Sequence, residues 1–186
     1  MRFFFDFAIA IILIIFLFPP MLIIAVMIIL RSDGPIIYWS DRVGKENKIF
    51  RMPKFRTMKI NTPDIATHLM HGPDDFLSPG GKFLRRTSLD ELPQLFIILT
   101  GNMSFVGPRP ALFNQYDLIA LRTSAGIDKI KPGITGWAQI NGRDELSIEE
   151  KVAYDLEYLE NHSFWLDLKI LWLTLLKVIN NQDISH

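Results

Sequence analysis

The stretch FAIAIILIIFLFPPMLIIAVMIIL, residues Phe7 to Leu30, contains no charged or polar side chain. An apolar run of about 20 residues or more is long enough to cross a bilayer as a helix. The residues that follow, Arg31 to Pro35, contain no small-residue cleavage site, so the run is not typical of a cleaved signal peptide. The sequence therefore predicts a membrane segment over residues 1–33.

Two prolines, Pro19 and Pro20, interrupt this run near its middle. Each removes a backbone donor and clashes with the preceding turn, so the helix should kink sharply or break there. Each half is then about 12 residues, or about 18 Å, which is too short for a hydrocarbon core of about 30 Å. The segment is either a kinked span or a re-entrant hairpin whose ends share one face. Basic residues on both sides, Arg2 before it and Arg31 and Arg42 after it, favour the re-entrant arrangement, because positive charge marks the cytoplasmic side.

The composition allows a core and restricts the chemistry. Of the 186 residues, 49% are apolar and 22% are charged, and there are no cysteines. Disulfides, thiolate metal sites and cysteine nucleophiles are therefore excluded. The formal charge is zero, but basic residues concentrate between Asp41 and Lys59. That segment predicts an anionic partner, which by charge alone could be phosphate, nucleic acid or anionic lipid.

The rest of the chain predicts an α+β, mostly helical fold. Two strand-like runs, around Ile36–Trp39 and Ile49–Phe55, are joined by a polar turn. Helix signals begin at Ser88 and continue to about Thr100. A capping box at Ser147-x-x-Glu150 begins a helix that extends to about Asn161.

The last predicted helix, Ser163–Asn180, is very apolar and has a narrow polar stripe. Trp165 and Trp172 lie seven residues apart, which places them on one helical face. Such a helix could lie in a membrane interface, or it could be a buried core helix.

The segment RTSLDELPQL, residues 86–95, places Asp90 and Glu91 side by side among apolar residues. One interpretation is structural. Ser88 and Glu91 fit a capping box, and Asp90 would lie in the first helical turn, where the helix dipole favours a carboxylate. The other interpretation is catalytic, because a helix N-terminus also binds phosphate. Two arginines that can pair with phosphate oxygens, Arg85 and Arg86, come just before it.

An ionised aspartate at a cationic helix start can attack phosphorus and form an acyl phosphate. Because two anions repel as they meet, arginines or a divalent cation must offset the charge. Magnesium fits best, since it needs only one or two protein carboxylates together with substrate phosphates. Other cationic strings are KFRTM with Lys54, GPRP with Arg109 and NGR with Arg143.

Together these strings resemble the monotopic phosphoglycosyl transferases, the small bacterial sugar transferases that begin glycan assembly. The resemblance covers almost the whole chain, in the family's order. Its segments are the proline-broken apolar N-terminus, RVG (42–44), KFRTM (54–58), RRTSLDELPQL (85–95), MSFVGPRP (103–110), KPGITGWAQINGR (131–143) and YDLEYLENHSFWLDLKIL (154–171).

The resemblance implies that a sugar-1-phosphate moves from a UDP-sugar to undecaprenyl phosphate, with release of UMP and a requirement for Mg²⁺. It implies that Asp90 is the nucleophile, forms a phosphosugar–aspartyl intermediate and contacts Mg²⁺. Glu91 matches the second member of the catalytic pair. The basic residues expected to bind substrate or its phosphates are Lys54, Arg85, Arg109 and Arg143.

The resemblance also implies a re-entrant helix broken at Pro19 and Pro20, interfacial amphipathic helices and a catalytic domain over residues 34–186. The expected location is the cytoplasmic face of the bacterial inner membrane. The expected partners are UDP-sugar, undecaprenyl phosphate and membrane lipid, and nucleic acid is not expected. One departure is Asn102, where many members carry an acid. If that acid helps to hold Mg²⁺, metal binding here would be weaker or arranged otherwise.

Two other functions fit the same charge pattern. A membrane-anchored, non-catalytic binding protein for anionic glycan precursors would release no UMP, and the intact Asp90–Glu91 pair disfavours it. A polyprenyl-diphosphate phosphatase would release inorganic phosphate and would need no nucleotide.

Overall fold

The computed structural model describes residues 2–60, 62, 72–142 and 145–180. These residues are mostly helical with a small sheet component, which confirms the predicted fold class at that level. The α-helices are α1 (Arg2–Arg31), α2 (Gly81–Arg86), α3 (Leu95–Leu99), α4 (Tyr116–Ser124), α5 (Trp137–Ile140), α6 (Ile148–Asn161) and α7 (Phe164–Asn180). The strands are β1 (Ile37–Val43), β2 (Ile49–Phe55), β3 (Ser104–Val106) and β4 (Gly133–Thr135). Short 3₁₀ helices lie at Lys45–Asn47, Pro73–Phe76, Leu89–Gln94 and Ile127–Lys129.

The described residues form two compact units. Unit 1 comprises residues 2–40 and 52–99, and unit 2 comprises residues 41–51 and those from 100 onward. The predicted boundary at residue 33 separates a membrane environment from an aqueous one. Contacts within the chain do not test such a division, so this boundary stays a prediction.

Helix α1 continues through Pro19 and Pro20 as one helix. The chain therefore does not divide into two separate helices there. The prolines remove two N–H donors, but the hydrogen bonds of the neighbouring turns keep the backbone helical on both sides. Of the helices in the described part of the chain, α1 is the one long and apolar enough to cross a membrane. A bend at the prolines and the re-entrant arrangement stay predictions.

One face of α1 packs inside unit 1, against α3 and against residues of β2 and α2. The core cluster consists of Met21, Ile24, Ile28, Phe55 and Leu84. Its three members from α1 recur at intervals of three and four residues, which is the period of a single helical face. Other positions of α1 expose large apolar side chains, among them Phe4, Phe16 and Leu30. Exposed apolar surface of this extent is typical of a segment that contacts lipid or another protein.

In unit 2, β3 and β4 pair in parallel, with Ser104 opposite Gly133 and Val106 opposite Thr135. Parallel neighbours require a long crossover, and this one contains α4. Helix α7 packs on both strands, where the Thr174 and Thr135 hydroxyl groups are hydrogen-bonded over 2.7 Å. The sequence does not predict this sheet, because strands of three residues are too short to show an alternating pattern.

The predicted capping box of α6 is confirmed. The Glu150 N–H donates to Ser147 Oγ over 3.1 Å, and the Ser147 N–H donates to Glu150 Oε2 over 2.8 Å. Two interactions with Ser147 lower the pKa of the Glu150 carboxyl, because both favour its ionised form. The larger effect comes from the Ser147 backbone and the smaller from the Ser147 side chain.

Helix α7 is amphipathic and covers the predicted range. Trp165 and Trp172 are 77% and 61% exposed, whereas Ile170 is fully buried. The alternative of a core helix buried on all sides is therefore excluded. One face packs on the strands and another presents aromatic side chains, and its placement in a membrane interface stays a prediction.

Candidate active site

A lysine and two carboxylates meet in unit 1. Lys54 Nζ donates to Glu91 Oε1 over 2.7 Å and lies 3.9 Å from Asp90 Oδ2. The side chains of Lys54, Glu91 and Asp90 are 17%, 10% and 9% exposed. The lysine offsets the repulsion between the two carboxylates.

The hairpin of β1 and β2 positions the lysine. The two strands pair as predicted, and β1 continues beyond the predicted end, to Val43. Neighbouring residues of a strand point to opposite faces, so Lys54 lies on the face opposite Phe55. Phe55 belongs to the core cluster, together with residues of α1. The packing of this phenylalanine therefore fixes the strand that carries Lys54.

The carboxylates lie on the 3₁₀ helix Leu89–Gln94, which contains Pro93, and not at the start of a regular α-helix. Ser88 has φ 54° and ψ 17° and makes no side-chain capping hydrogen bond. A capping serine needs extended backbone angles, so the predicted capping box is wrong here. The Glu91 N–H bonds instead to the Ser88 carbonyl over 3.1 Å, and the Glu91 carboxylate accepts from Lys54.

The neighbouring carboxylates fit a magnesium ion that also takes substrate oxygens. Carboxylate oxygens are donors that Mg²⁺ prefers, and it needs only one or two of them beside phosphates. Among the described residues, no group of three or more His, Asp or Glu side chains forms a metal site. Asn102 is exposed and donates to Thr100 Oγ1 over 3.0 Å, and its amide supplies no negative charge. Asp90 and Glu91 thus offer the one or two carboxylates that such an ion needs beside substrate phosphates.

The predicted basic residues have different positions. Arg85 lies in α2 of unit 1, where its Nη1 donates to Met58 Sδ over 3.4 Å. Arg109 belongs to unit 2 and lines a cleft there, together with Arg122. Arg143 lies outside the described residues. Of the predicted site residues, the structure therefore brings together Lys54 and the carboxylate pair.

A buried ion pair in unit 2 was missed by the sequence analysis. Arg122 Nε and Nη2 donate to Asp155 Oδ2 over 2.9 Å and 2.6 Å, and the side chains of Arg122 and Asp155 are 11% and 1% exposed. Burial raises the pKa of the Asp155 carboxyl, and the charge of Arg122 opposes that shift. Asp155 and Tyr158 are the buried residues of α6 and lie three positions apart. An acid on the buried face of a helix needs a buried partner. The three-residue spacing of Asp155 and Tyr158 could therefore have indicated a buried basic partner for Asp155 from the sequence.

Fold and site together define an α+β protein with one long apolar helix and, in the same unit, a buried carboxylate pair held by a lysine. The chain belongs to the bacterial sugar transferase family, whose family model matches residues 1–181. The resemblance drawn from the sequence motifs is thereby confirmed.

Several named proteins are similar to this chain. A UDP-glucose:undecaprenyl-phosphate glucose-1-phosphate transferase of Escherichia coli (strain K12) is 40% identical over 184 residues, covering 95% of this chain and 40% of that protein. The uncharacterized sugar transferase EpsL of Bacillus subtilis (strain 168) is 43% identical over 158 residues, covering 84% of this chain and 76% of EpsL. An undecaprenyl-phosphate galactose phosphotransferase of Salmonella typhimurium is 34% identical over 190 residues, covering 92% of this chain and 39% of that protein. The chain thus spans about two fifths of the length of the first and third of these relatives.

Proposed function

We propose that the chain transfers a sugar-1-phosphate from a UDP-sugar to undecaprenyl phosphate and releases UMP. The observation that carries this proposal is the buried cluster of Lys54, Glu91 and Asp90 in a member of the bacterial sugar transferase family. The names of the E. coli and S. typhimurium relatives support the substrate classes, a UDP-sugar and undecaprenyl phosphate.

Asp90 is the proposed nucleophile of the first step. A carboxylate oxygen of Asp90 attacks the phosphorus that carries the sugar, and the bond from that phosphorus to the UMP oxygen breaks. UMP leaves with the electron pair, and the sugar phosphate stays on Asp90 as a phosphosugar–aspartyl intermediate. The resemblance to the family supports this assignment over Glu91, because Asp90 matches the first member of the catalytic pair. Lys54 Nζ is hydrogen-bonded to Glu91 over 2.7 Å and lies 3.9 Å from Asp90 Oδ2, so its positive charge is close to both carboxylates.

Undecaprenyl phosphate resolves the intermediate in the second step. One of its phosphate oxygens attacks the same phosphorus, the bond to Asp90 breaks, and the carboxylate is restored. The product is undecaprenyl diphosphate joined to the sugar. In both steps Lys54 lowers the electrostatic cost of bringing phosphates to two carboxylates, and Glu91 holds the lysine in place.

Asp90, together with substrate phosphates, is the proposed holder of Mg²⁺. When bound, the ion neutralises negative charge on the phosphates during transfer. Its requirement for few protein ligands agrees with two neighbouring carboxylates. Arg85, Arg109 and Arg143 are the proposed phosphate-binding arginines, because the guanidinium fork pairs well with phosphate oxygens.

The function is tested with purified chain, undecaprenyl phosphate, Mg²⁺ and a panel of radiolabelled UDP-sugars that includes UDP-glucose, UDP-galactose and UDP-N-acetylated sugars. We expect UMP and lipid-linked label in equal amounts with at least one donor, and neither product when EDTA removes the metal. Retained label without UMP would identify a binding protein instead. Inorganic phosphate released without nucleotide would identify a phosphatase.

The proposed location is the cytoplasmic face of the bacterial inner membrane, with α1 re-entrant and α7 at the interface. The exposed apolar side chains of α1 and the exposed tryptophans of α7 support contact with lipid. Basic residues on both sides of the apolar run support ends that share one face.

The topology can be measured by cysteine labelling, since the chain contains no cysteine of its own. Single cysteines are added before Met1 in one variant and after His186 in another. We expect both to resist a membrane-impermeant maleimide in intact spheroplasts and to react after lysis. A periplasmic cysteine of a known membrane protein serves as the positive control. Labelling of the N-terminal cysteine in intact spheroplasts would show that α1 spans the membrane.

A further inference from the structure

The turn around Arg109 is held through its carbonyl groups. Pro108 and Pro110 flank Arg109, and neither has a backbone N–H to donate. Four consecutive carbonyls accept hydrogen bonds from other segments of unit 2. The pairs are Gly133 N–H to Pro108 O (3.0 Å), Arg122 Nη1 to Arg109 O (2.7 Å), Arg42 Nη1 to Pro110 O (3.2 Å) and Val43 N–H to Ala111 O (2.9 Å). The shortest of these bonds is the one to the carbonyl of Arg109 itself.

Backbone contact leaves the turn little room to move. A Cβ atom on Gly136 would lie 2.1 Å from the Gly107 carbonyl oxygen, and one on Gly133 would lie 2.2 Å from the Gly107 nitrogen. Side chains cannot occupy such gaps, so the segment just before Arg109 packs backbone to backbone on β4 and on the glycine that follows it. The peptide of Arg109 is therefore held by close packing as well as by hydrogen bonds.

The Arg122 side chain is itself fixed by Asp155. Its Nε and Nη2 both donate to Asp155 Oδ2, and its Nη1 donates to the Arg109 carbonyl. The guanidinium is planar and rigid, so two bonds to one carboxylate determine where the third nitrogen points. Asp155 is on α6 and is almost completely buried, and α6 packs against α4, which carries Arg122. The position of α6 is thus transmitted to the peptide of Arg109.

We propose that Arg122 and Asp155 are positioning residues that aim the Arg109 side chain at the phosphates of the donor substrate. This inference rests on the proposed function, which assigns Arg109 to phosphate. Arg122 is assigned a positioning role because three of its five guanidinium N–H groups are donated to Asp155 and to the Arg109 peptide.

The variant Arg122→Lys tests the proposal. Lysine keeps a positive charge beside Asp155, so no buried carboxylate is left unpaired, but one ammonium replaces the three-nitrogen fork. We expect KM for the UDP-sugar to rise about tenfold or more, as for loss of a charged hydrogen bond, with little change in Tm. Lys129→Ala, which removes an exposed charge from the same unit, is the control and should leave KM unchanged.

A double-mutant cycle separates positioning from a general structural effect. If Arg122 acts through Arg109, the variant Arg109→Ala with Arg122→Lys should have the same KM as Arg109→Ala alone. If the double variant instead has a KM raised by the product of the two single effects, the proposal is wrong. The pair Arg122→Met with Asp155→Leu replaces the ion pair by apolar side chains, which often preserves folding. It should show the same rise in KM, and wild-type KM in that variant would also overturn the proposal.

Two measurements without turnover distinguish this inference from the proposed function. Hydrogen–deuterium exchange at the amides of Arg109, Ala111 and Leu112 should be faster in Arg122→Lys, while α4 and α6 exchange as in the wild type. Binding of UDP, measured by titration calorimetry, should weaken about tenfold or more. If the wild type transfers no sugar, the proposed function fails. Unchanged exchange or unchanged UDP binding would overturn the positioning role, whatever the wild type transfers.

Discussion

Asp90→Asn is expected to abolish sugar-phosphate transfer, with UMP release lower by about 10⁴-fold or more. Asparagine keeps the shape of the side chain, but its amide is a poor nucleophile and carries no charge. Folding should be retained, because Lys54 keeps its 2.7 Å hydrogen bond to Glu91 and one of two adjacent buried negative charges is removed. The loss should therefore appear in turnover and not in Tm.

UMP release with the best donor measures this loss, and a thermal melt reports the fold. Intact-protein mass spectrometry without undecaprenyl phosphate adds a direct readout: the wild type should gain the mass of one sugar phosphate, and Asp90→Asn should not. Asp117→Asn, at an exposed aspartate in the first turn of α4, is the matched control and should behave as the wild type. Full activity of Asp90→Asn would assign the nucleophile to another atom.

Lys54→Met is expected to reduce both stability and activity. Methionine is of similar length, so packing is largely kept while the charge is lost. Two adjacent buried carboxylates then have no lysine between them, and breaking a buried ion pair costs about 3 kcal/mol. Since the lysine no longer offsets the negative charge where the phosphates must bind, UMP release should also be slower.

Denaturant unfolding measures the stability, and the initial rate of UMP release measures the activity. The variant Lys54→Met with Glu91→Gln removes one carboxylate together with the lysine. It should regain most of the lost stability while transfer stays slow. Lys54→Arg, which keeps the charge, should be closer to the wild type in stability than Lys54→Met. If Lys54→Met unfolds at the wild-type denaturant concentration, the charge coupling inferred from the distances is wrong.

Elements with a strong local signal could be predicted from the sequence. The apolar run of α1, the β1–β2 hairpin and the capping box of α6 each depend on residues close together in the chain. The same is true of α7, where the seven-residue spacing of Trp165 and Trp172 indicated a shared face. The structure shows that this face is exposed. The three-residue strands β3 and β4 have no comparable signal, because their pairing joins segments far apart in sequence.

The segment around Ser88 shows why a local pattern can mislead. Ser88 and Glu91 have the spacing of a capping box, as do Ser147 and Glu150, where the box forms. At Glu91, a lysine 37 positions earlier takes the carboxylate instead. The bond between the Lys54 ammonium and the Glu91 carboxylate joins two full charges, whereas a backbone N–H offers only a dipole, so Lys54 competes well for the carboxylate.

The sequence by itself determined the family and the residues that carry the proposed chemistry, because both are encoded in short motifs of particular side chains. The tertiary structure alone decided how those residues are partnered. It pairs Lys54 with Glu91 and places Asp90 Oδ2 3.9 Å from the same lysine nitrogen. It also links Asp155 through Arg122 to the peptide of Arg109. Such pairs depend on burial and on packing between distant segments, and the low solvent access that makes their charges matter arises only when the chain is folded.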